Sequence, residues 1–109
     1  MRAVLIGEGM VEVSQDGESW RLGYGGDTLN TAIHLARRGI PTAYMTALGA
    51  DTFSKQMKRD WAAEGLDTTM VLTDPVRSAG LYAIATDAQG ERSFAYWRSQ
   101  SAARHLADD

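Results

Sequence analysis

Two adjacent glycines stand directly before an amphipathic helix, and this junction constrains the fold more than any other part of the sequence. The stretch occupies residues 25–30 and continues into apolar positions with helical spacing. These positions are Leu29, Ala32, Ile33 and Ala36. Because glycine carries no Cβ, such a pair lets the backbone turn and approach a ligand closely. Asp27 is a favourable N-cap residue, so we expect it to cap a helix over 28–38.

The start of this helix is predicted to form a polar cradle. Free backbone N–H groups at a helix N-terminus attract anions such as phosphate. Asp27 adds negative charge at the same place, and Asn30 adds an amide. Since a carboxylate and an amide match hydroxyl groups as acceptor and donor, the sequence favours a polyhydroxylated ligand over a phosphate here.

The composition indicates one small globular domain and excludes several classes of protein. The chain has 109 residues, of which 44% are apolar and 23% charged. A net charge of −3 gives no electrostatic footprint for nucleic acid or an anionic membrane. Without cysteine, disulfides and thiol chemistry are excluded, and His34 and His105 are too few and isolated for a metal site. No apolar run reaches membrane-spanning length, so we expect a cytoplasmic protein.

Strand and helix signals alternate in the first two thirds of the chain. The apolar run 2–6 predicts a buried strand, and a second strand is expected at 42–48 after the helix. Strand, helix and strand in this order predict a crossover unit with two parallel strands. Asp51 is expected to cap a second helix that ends at Gly65. Its predicted core face consists of Phe53, Met57 and Trp61.

The segment 7–12 begins like a dinucleotide-binding fingerprint but does not complete it. Glu12 occupies the third glycine position, and no helix follows directly, so a nicotinamide-dependent oxidoreductase is disfavoured. Alternating residues and an Asp16-Gly17 turn instead predict a hairpin over 11–22 that stands off the main sheet. On the residues alone, the favoured interpretation of Glu12 is a solvated strand residue, and the alternative is a site residue close to where the chain leaves the first strand.

The last third of the sequence changes to β-strand character. A short strand at 69–72 precedes two longer runs, 80–87 and 91–98, around a three-residue loop that ends in glycine. This loop predicts a type I turn with a G1 bulge, which sets the register. The predicted cross-strand pairs are Ile84 with Phe94, Tyr82 with Tyr96 and Gly80 with Arg98. One face would then carry aromatic rings and a guanidinium suited to a carboxylate or phosphate; the alternative is a partly exposed face of amphipathic aromatics.

As an ordered set, these segments resemble the ribokinase-like (PfkB) carbohydrate kinases. The stretch at 25–30, with glycines 39 and 49 downstream, is similar to the first signature of that family. Four segments resemble the members that phosphorylate 2-keto-3-deoxygluconate: 25–30, 47–54, 80–82 and 90–98. The resemblance implies the N-terminal part of a three-layer α/β/α fold with a small β-sheet lid. Core elements would lie at about 2–7, 27–65 and 99–109, and lid strands at about 10–23 and 68–98.

The resemblance also implies an activity and a set of site residues. It implies ATP-dependent phosphorylation of a sugar-acid hydroxyl, with ATP and Mg²⁺ as cofactors of the intact enzyme. The implied substrate-binding residues are Gly26, Asp27, Asn30, Tyr82, Tyr96, Arg98 and Glu12. Arg98 would lie near the acid end of the substrate. The partners implied are the sugar acid and a second copy of the chain through the lid, with no nucleic acid or membrane.

The residues that perform the family's chemistry are not found in this sequence. Family members are considerably longer, and their catalytic base is an Asp in a late Gly-Ala-Gly-Asp motif. The sequence has neither that motif nor a Walker-type Gly-Lys-Ser/Thr, and it ends in the predicted first turns of a helix at 101–109. We therefore expect a substrate-binding N-terminal portion that binds no ATP or Mg²⁺ and has no kinase activity alone. The alternatives left open are a kinase for ribose, fructose or a nucleoside, and a non-catalytic sugar-acid-binding module.

Overall fold

The computed structural model describes residues 2–106 as two β-sheets joined through two α-helices. In chain order the elements are β1 (Ala3–Ile6), β2 (Met10–Asp16), β3 (Ser19–Gly25), α1 (Asp27–Arg37), β4 (Thr42–Gly49), α2 (Thr52–Ala63), β5 (Val71–Asp74), β6 (Gly80–Thr86) and β7 (Arg92–Trp97). A single turn of 3₁₀ helix follows at Ala103–His105. The helix predicted at 101–109 is therefore a short 3₁₀ turn as far as residue 106, and its last three residues lie outside the described part.

The first sheet is parallel and has the strand order β1–β4–β5. The predicted strand–helix–strand unit is confirmed, since Ala3 pairs with Thr42 in parallel register. The assignment of β5 to the lid is wrong, because this strand pairs with β4 from Thr46 onward. The connection after α2 explains the difference: the N–H of Asp67 donates to the carbonyl of Thr42 at 2.9 Å, which returns the chain directly to the same sheet.

Helix α1 begins one residue earlier than the sequence predicted. Asp27 is its first residue, and the N-cap is Gly26, with a φ of 132° that favours glycine. The expectation that Asp27 caps the helix is therefore wrong, because Gly26 makes the turn and its neighbour already has helical geometry. The predicted apolar face is confirmed by the burial of Leu29 and Ala32.

Helix α2 follows its predicted capping but not all of its predicted core face. The Asp51 carboxylate accepts a hydrogen bond from the N–H of Ser54 at 2.8 Å. Met57 and Trp61 are buried, as expected. Phe53 is 56% exposed, so its placement in the core is wrong. It lies in the first turn of the helix and lines a small surface pocket together with Leu22.

The second sheet has four strands in the order β3–β2–β6–β7, with two antiparallel hairpins joined by parallel pairing of β2 and β6. The predicted register of the second hairpin is confirmed, since Tyr82 pairs with Tyr96 and Ile84 with Phe94. Its turn closes through a hydrogen bond from the N–H of Asp87 to the carbonyl of Glu91 at 2.9 Å. We call the face that bears Tyr82 and Tyr96 the inner face, and the opposite one the outer face.

The hydrophobic core lies between the helices and the sheets. Its largest fully buried side chain is Trp61, which contacts the rings of Tyr24 and Tyr44 edge-on at centroid distances of 6.3 and 5.6 Å. One contact reaches the four-stranded sheet and the other the parallel sheet, so Trp61 packs against both. Among the described residues, no helix combines the length and apolar character needed to cross a membrane.

Candidate ligand-binding cleft

A cleft of about 410 Å³ opens between the start of α1 and the inner face of the four-stranded sheet. Its lining residues are Gly7, Glu8, Met10, Gly26, Asp27, Thr28, Asn30, Tyr82, Phe94, Tyr96 and Arg98. All residues proposed from the resemblance lie along it except Glu12. A volume of this size suits a small organic ligand.

The α1 side of the cleft offers polar side chains that have no competing partner. Asp27 and Asn30 are both exposed, and within residues 2–106 neither side chain makes a hydrogen bond. The Asp27 carbonyl accepts a hydrogen bond from the Thr31 hydroxyl at 3.0 Å, which fixes the first turn. A carboxylate and an amide on a fixed helix start are well placed to bind ligand hydroxyl groups.

The opposite side of the cleft is a stack of aromatic rings. Tyr82 and Tyr96 stack with centroids 5.9 Å apart, and Tyr96 and Phe94 stack at 6.4 Å. The guanidinium carbon of Arg98 lies 5.1 Å from the Tyr96 ring centroid. In the described residues Arg98 has no carboxylate partner, so its donors remain available for an anionic ligand group.

Glu12 does not line the cleft, although the resemblance proposed it as a substrate-binding residue. Its carboxylate accepts a hydrogen bond from the Tyr82 hydroxyl, because β2 and β6 place the two residues side by side. A Cβ on Gly25 would lie 2.1 Å from that hydroxyl oxygen, so the glycine leaves room for the pair. Glu12 is thus neither a solvated strand residue nor a residue of the cleft wall in this structure; it holds the Tyr82 ring.

This contact predicts an altered titration of Tyr82. Burial, and after it the Glu12 carboxylate, raises the pKa of the Tyr82 phenol well above its ordinary value. Since the carboxylate favours the protonated phenol, we expect Glu12→Gln to lower this pKa while burial keeps it above the ordinary value. Ultraviolet titration of phenolate absorbance, with Tyr82→Phe to assign the signal, measures the change.

The matched control for that titration is Glu18→Gln, which makes the same substitution in the exposed turn of the first hairpin. It should leave the Tyr82 titration where it is. An unchanged pKa in Glu12→Gln would contradict the pairing.

Sequence reasoning missed Glu8 as a residue of the cleft. It follows the carboxyl end of β1, which is where parallel sheets bind ligands, and that position was the available signal. Its Oε2 atom is buried and has no hydrogen-bond partner among residues 2–106. Phe94 and Thr28 were also missed; the Thr28 hydroxyl lies 2.8 Å from that of Tyr44.

The charge distribution of the cleft favours one kind of ligand. Two carboxylates, Glu8 and Asp27, lie along it, together with the single guanidinium of Arg98. In the described range, no group of three or more metal-ligating side chains is placed to hold an ion. The cleft therefore offers two carboxylate acceptors and one guanidinium donor to a ligand.

Solved structures contain the same arrangement of a parallel sheet and a second sheet over the helix start. A PfkB protein from Polaromonas sp. JS666 is 27% identical with a TM-score of 0.87, covering 94% of this chain and 37% of that one. A fructokinase with bound ATP from Xylella fastidiosa is 25% identical with a TM-score of 0.87, covering 94% and 32%. The fold is therefore the N-terminal part of a ribokinase-like α/β kinase fold, as predicted.

The sequence places the chain within a family. The pfkB family of carbohydrate kinases matches residues 2–109, and the chain belongs to that family. The 2-dehydro-3-deoxygluconokinase of Dickeya dadantii (strain 3937) is 48% identical over 105 residues, which cover 93% of this chain and 34% of that protein. The enzyme of the same name from Escherichia coli (strain K12) is 46% identical over 107 residues, covering 94% and 35%. The chain thus spans about a third of the length of these curated relatives.

Proposed function

We propose that this chain is the substrate-binding portion of a kinase that phosphorylates a hydroxyl of 2-keto-3-deoxygluconate, the compound named 2-dehydro-3-deoxygluconate in its relatives. The observation that carries the proposal is that Asp27 and Asn30 lie along the same cleft as Arg98. Among residues 2–106 the first two make no side-chain hydrogen bond, and Arg98 has no carboxylate partner. A sugar acid has hydroxyls for the first pair and a carboxylate for the guanidinium. The similarity to 2-dehydro-3-deoxygluconokinases supports the same substrate.

Each side of the cleft has a distinct role in this proposal. Asp27 and Asn30 accept from and donate to ligand hydroxyls, and the fixed start of α1 orients them. Arg98 binds the carboxylate through two parallel hydrogen bonds, and the Tyr96 ring beneath it limits the directions in which it can point. Tyr82 and Tyr96 cover the apolar side of the sugar chain.

We propose ATP and Mg²⁺ as the cofactors of the whole enzyme, and a relative with bound ATP supports the nucleotide. The residues of this chain do not fit a triphosphate, because the carboxylates of Glu8 and Asp27 would repel it in the cleft. The family's Gly-Ala-Gly-Asp motif is also absent from the 109 residues. This chain's part in the reaction is therefore to bind and orient the acceptor.

We expect the 109-residue chain alone to transfer no phosphoryl group from Mg·ATP to the sugar acid. Phosphoryl transfer requires groups that position and stabilise the moving phosphate, and no residue of the cleft supplies them. Phosphorus NMR of the products measures the reaction. A positive control is a chimaera that joins residues 1–109 to the remaining part of the E. coli relative. Product formed by the short chain alone would contradict the expectation.

Arg98 provides the test of the proposed substrate. In the chimaera, we expect Arg98→Ala to weaken binding of the sugar acid about 10- to 100-fold, because a hydrogen-bonded charge pair is lost. A neutral sugar with the same hydroxyls should bind equally well to both proteins. Isothermal titration calorimetry gives the dissociation constants.

The control is Arg92→Ala. Arg92 lies on the same face of the second hairpin as Arg98, and its guanidinium carbon is 5.6 Å from the centroid of the Phe94 ring, but it does not line the cleft. It should leave sugar-acid binding unchanged. If Arg98→Ala weakens binding of the sugar acid and of the neutral sugar by the same factor, the role of Arg98 is refuted. If the unmodified chimaera binds a neutral sugar more tightly than the sugar acid, another substrate is favoured.

The outer face of the four-stranded sheet supports a further part of the proposal. Trp20, Leu22 and Trp97 are each more than half exposed there. Exposed apolar groups of this size on one sheet face are typical of interaction surfaces. We propose that this face, opposite the cleft, carries the contacts of a homo-oligomer. A non-catalytic module is not favoured, since the relatives named above are kinases.

A further inference from the structure

Glu8 is a half-buried acid that lines the cleft, and within residues 2–106 one of its carboxylate oxygens has no hydrogen-bond partner. Its Oε2 atom is inaccessible to solvent, and no donor among residues 2–106 lies within hydrogen-bonding distance. A buried carboxylate oxygen without a donor is costly, and such atoms in folded proteins are rarely left unbonded. The residue as a whole is only half-buried and lines the cleft, so rotation of its carboxylate within the cleft can bring an oxygen to a ligand donor.

The backbone holds Glu8 in this position. The N–H of Gly7 donates to the carbonyl of Met45 at 3.2 Å, which anchors the preceding residue to the parallel sheet. The start of α1 packs against the Glu8 carbonyl so closely that a Cβ on Gly26 would lie 2.5 Å from the carbonyl oxygen. The main chain of Glu8 is therefore held on two sides, by the parallel sheet and by the start of α1.

Gly80 provides the space into which the carboxylate extends. A Cβ on Gly80 would lie 2.5 Å from the Glu8 Oε2 atom and 3.0 Å from the Cβ of Arg98. The Glu8 carboxylate and the root of the Arg98 side chain thus adjoin the same point of β6. The Arg98 guanidinium nevertheless lies over Tyr96, and the described residues form no Glu8–Arg98 ion pair.

The neighbouring polar groups do not supply the donor either. The hydroxyls of Thr28 and Tyr44 are bonded to each other at 2.8 Å. Tyr44 lies close enough that the Glu8 charge adds to burial in raising the pKa of its phenol. Within residues 2–106 the Glu8 Oε2 atom is therefore an acceptor that no side chain or backbone group satisfies, and a ligand in the cleft is one source of a donor.

We propose that Glu8 is a substrate-binding residue whose carboxylate accepts a hydrogen bond from a ligand hydroxyl, next to the carboxylate that Arg98 binds. A hydroxyl is the donor that a sugar acid brings to this cleft, and hydrogen bonds to charged acceptors are the stronger kind. The inference rests on the proposed function in that it requires a polyhydroxylated ligand. It does not require that ligand to be an acid.

Equilibrium binding tests this role without nucleotide. We expect Glu8→Gln, which keeps the size of the side chain, to raise the dissociation constant for 2-keto-3-deoxygluconate about 10- to 100-fold by titration calorimetry. In the chimaera the same variant should raise KM more than it lowers kcat. The matched control is Glu18→Gln at the exposed hairpin turn, which should change neither value.

A series of analogues, each lacking one hydroxyl, separates binding from a structural effect. For the analogue that lacks the hydroxyl bound by Glu8, the dissociation constant with the unmodified protein should equal that of the parent compound with Glu8→Gln. The affinity of this analogue should not fall any further when it is tested with Glu8→Gln. If Glu8→Gln instead weakens the binding of every analogue by the same factor, Glu8 does not bind a ligand hydroxyl, because a purely structural effect is independent of which hydroxyl is missing.

Gly80→Ala gives a second route to the same test if Glu8→Gln does not fold. The added Cβ displaces the Glu8 carboxylate without altering its chemistry, but it also crowds the Cβ of Arg98. Binding of a neutral polyol, which has no carboxylate for Arg98, therefore isolates the effect on Glu8 and should become weaker. Binding unchanged in either folded variant overturns the inference. If the unmodified protein binds a neutral polyol but not the sugar acid, only the proposed substrate is refuted. The role of Glu8 is then tested by measuring binding of that polyol to the same variants.

Discussion

Gly26→Ala is expected to destabilise the protein and to abolish ligand binding. Gly26 has a φ of 132°, a conformation that costs other residues about 1–3 kcal/mol. The new Cβ would also lie 2.5 Å from the carbonyl oxygen of Glu8. Since that atom belongs to the backbone and cannot rotate away, α1 must move from the end of β1. The cleft is built at this junction, so its two walls should separate.

Urea denaturation and titration calorimetry measure the two effects of Gly26→Ala. Gly39→Ala is the matched control, because Gly39 also has a positive φ, 82°, but a Cβ there meets nothing within 4 Å. Gly39→Ala should lower the free energy of unfolding by about 1 kcal/mol, the cost of a positive φ at alanine, and it should leave ligand binding unchanged. If the two variants lose the same free energy of unfolding, the contact with Glu8 does not determine the position of α1.

The parts of the fold that the sequence predicted are those fixed by local geometry. The second hairpin is an example, since a glycine-ended turn and a period of two set the pairing of Tyr82 with Tyr96. The cap of α1 could not be predicted in the same way. Asp27 has the better capping propensity, but the close approach of Glu8 requires glycine at the N-cap, and that contact is tertiary.

The location of β5 illustrates a second limit of sequence reasoning. The short run 71–74 carries a strand signal but nothing that distinguishes pairing with β4 from pairing with the second sheet. Hydrogen bonds between the backbones of Asp67 and β4 place the following strand, β5, beside β4. Phe53 was misplaced for a related reason, because helical spacing identifies a face but not where the packed neighbour ends.

The site shows the same division between local and long-range information. The glycine-flanked start of α1 and the face of the second hairpin could be predicted, and the cleft lies between them. Which acid of the segment 7–12 lines the cleft could not be predicted. That depends on parallel pairing of β2 with β6, which places Glu12 beside Tyr82 and leaves Glu8 in the cleft.

Trp61→Ala is expected to remove about 3–5 kcal/mol of stability, the typical cost of deleting a fully buried large aromatic side chain. Trp61 is 0% exposed, and the close fit around it extends to Gly9, where a Cβ would lie 2.7 Å from the indole Cη2. Total free energies of unfolding are about 5–15 kcal/mol, so the loss is a large fraction. We therefore expect a partly unfolded chain at room temperature in mild urea.

Circular dichroism during urea denaturation measures that loss, and Trp20→Ala provides the control. Trp20 is 54% exposed on the outer face, so the same substitution there should change stability by no more than about 0.5 kcal/mol. Equal losses would mean that Trp61 does not hold the sheets together. Because Trp61 contacts both Tyr24 and Tyr44, its removal should also weaken ligand binding at urea concentrations where helical signal persists. One wall of the cleft is the start of α1, which packs on the parallel sheet, and the other is the four-stranded sheet. Trp61 is a buried contact between these two sheets, so its loss should disturb both walls.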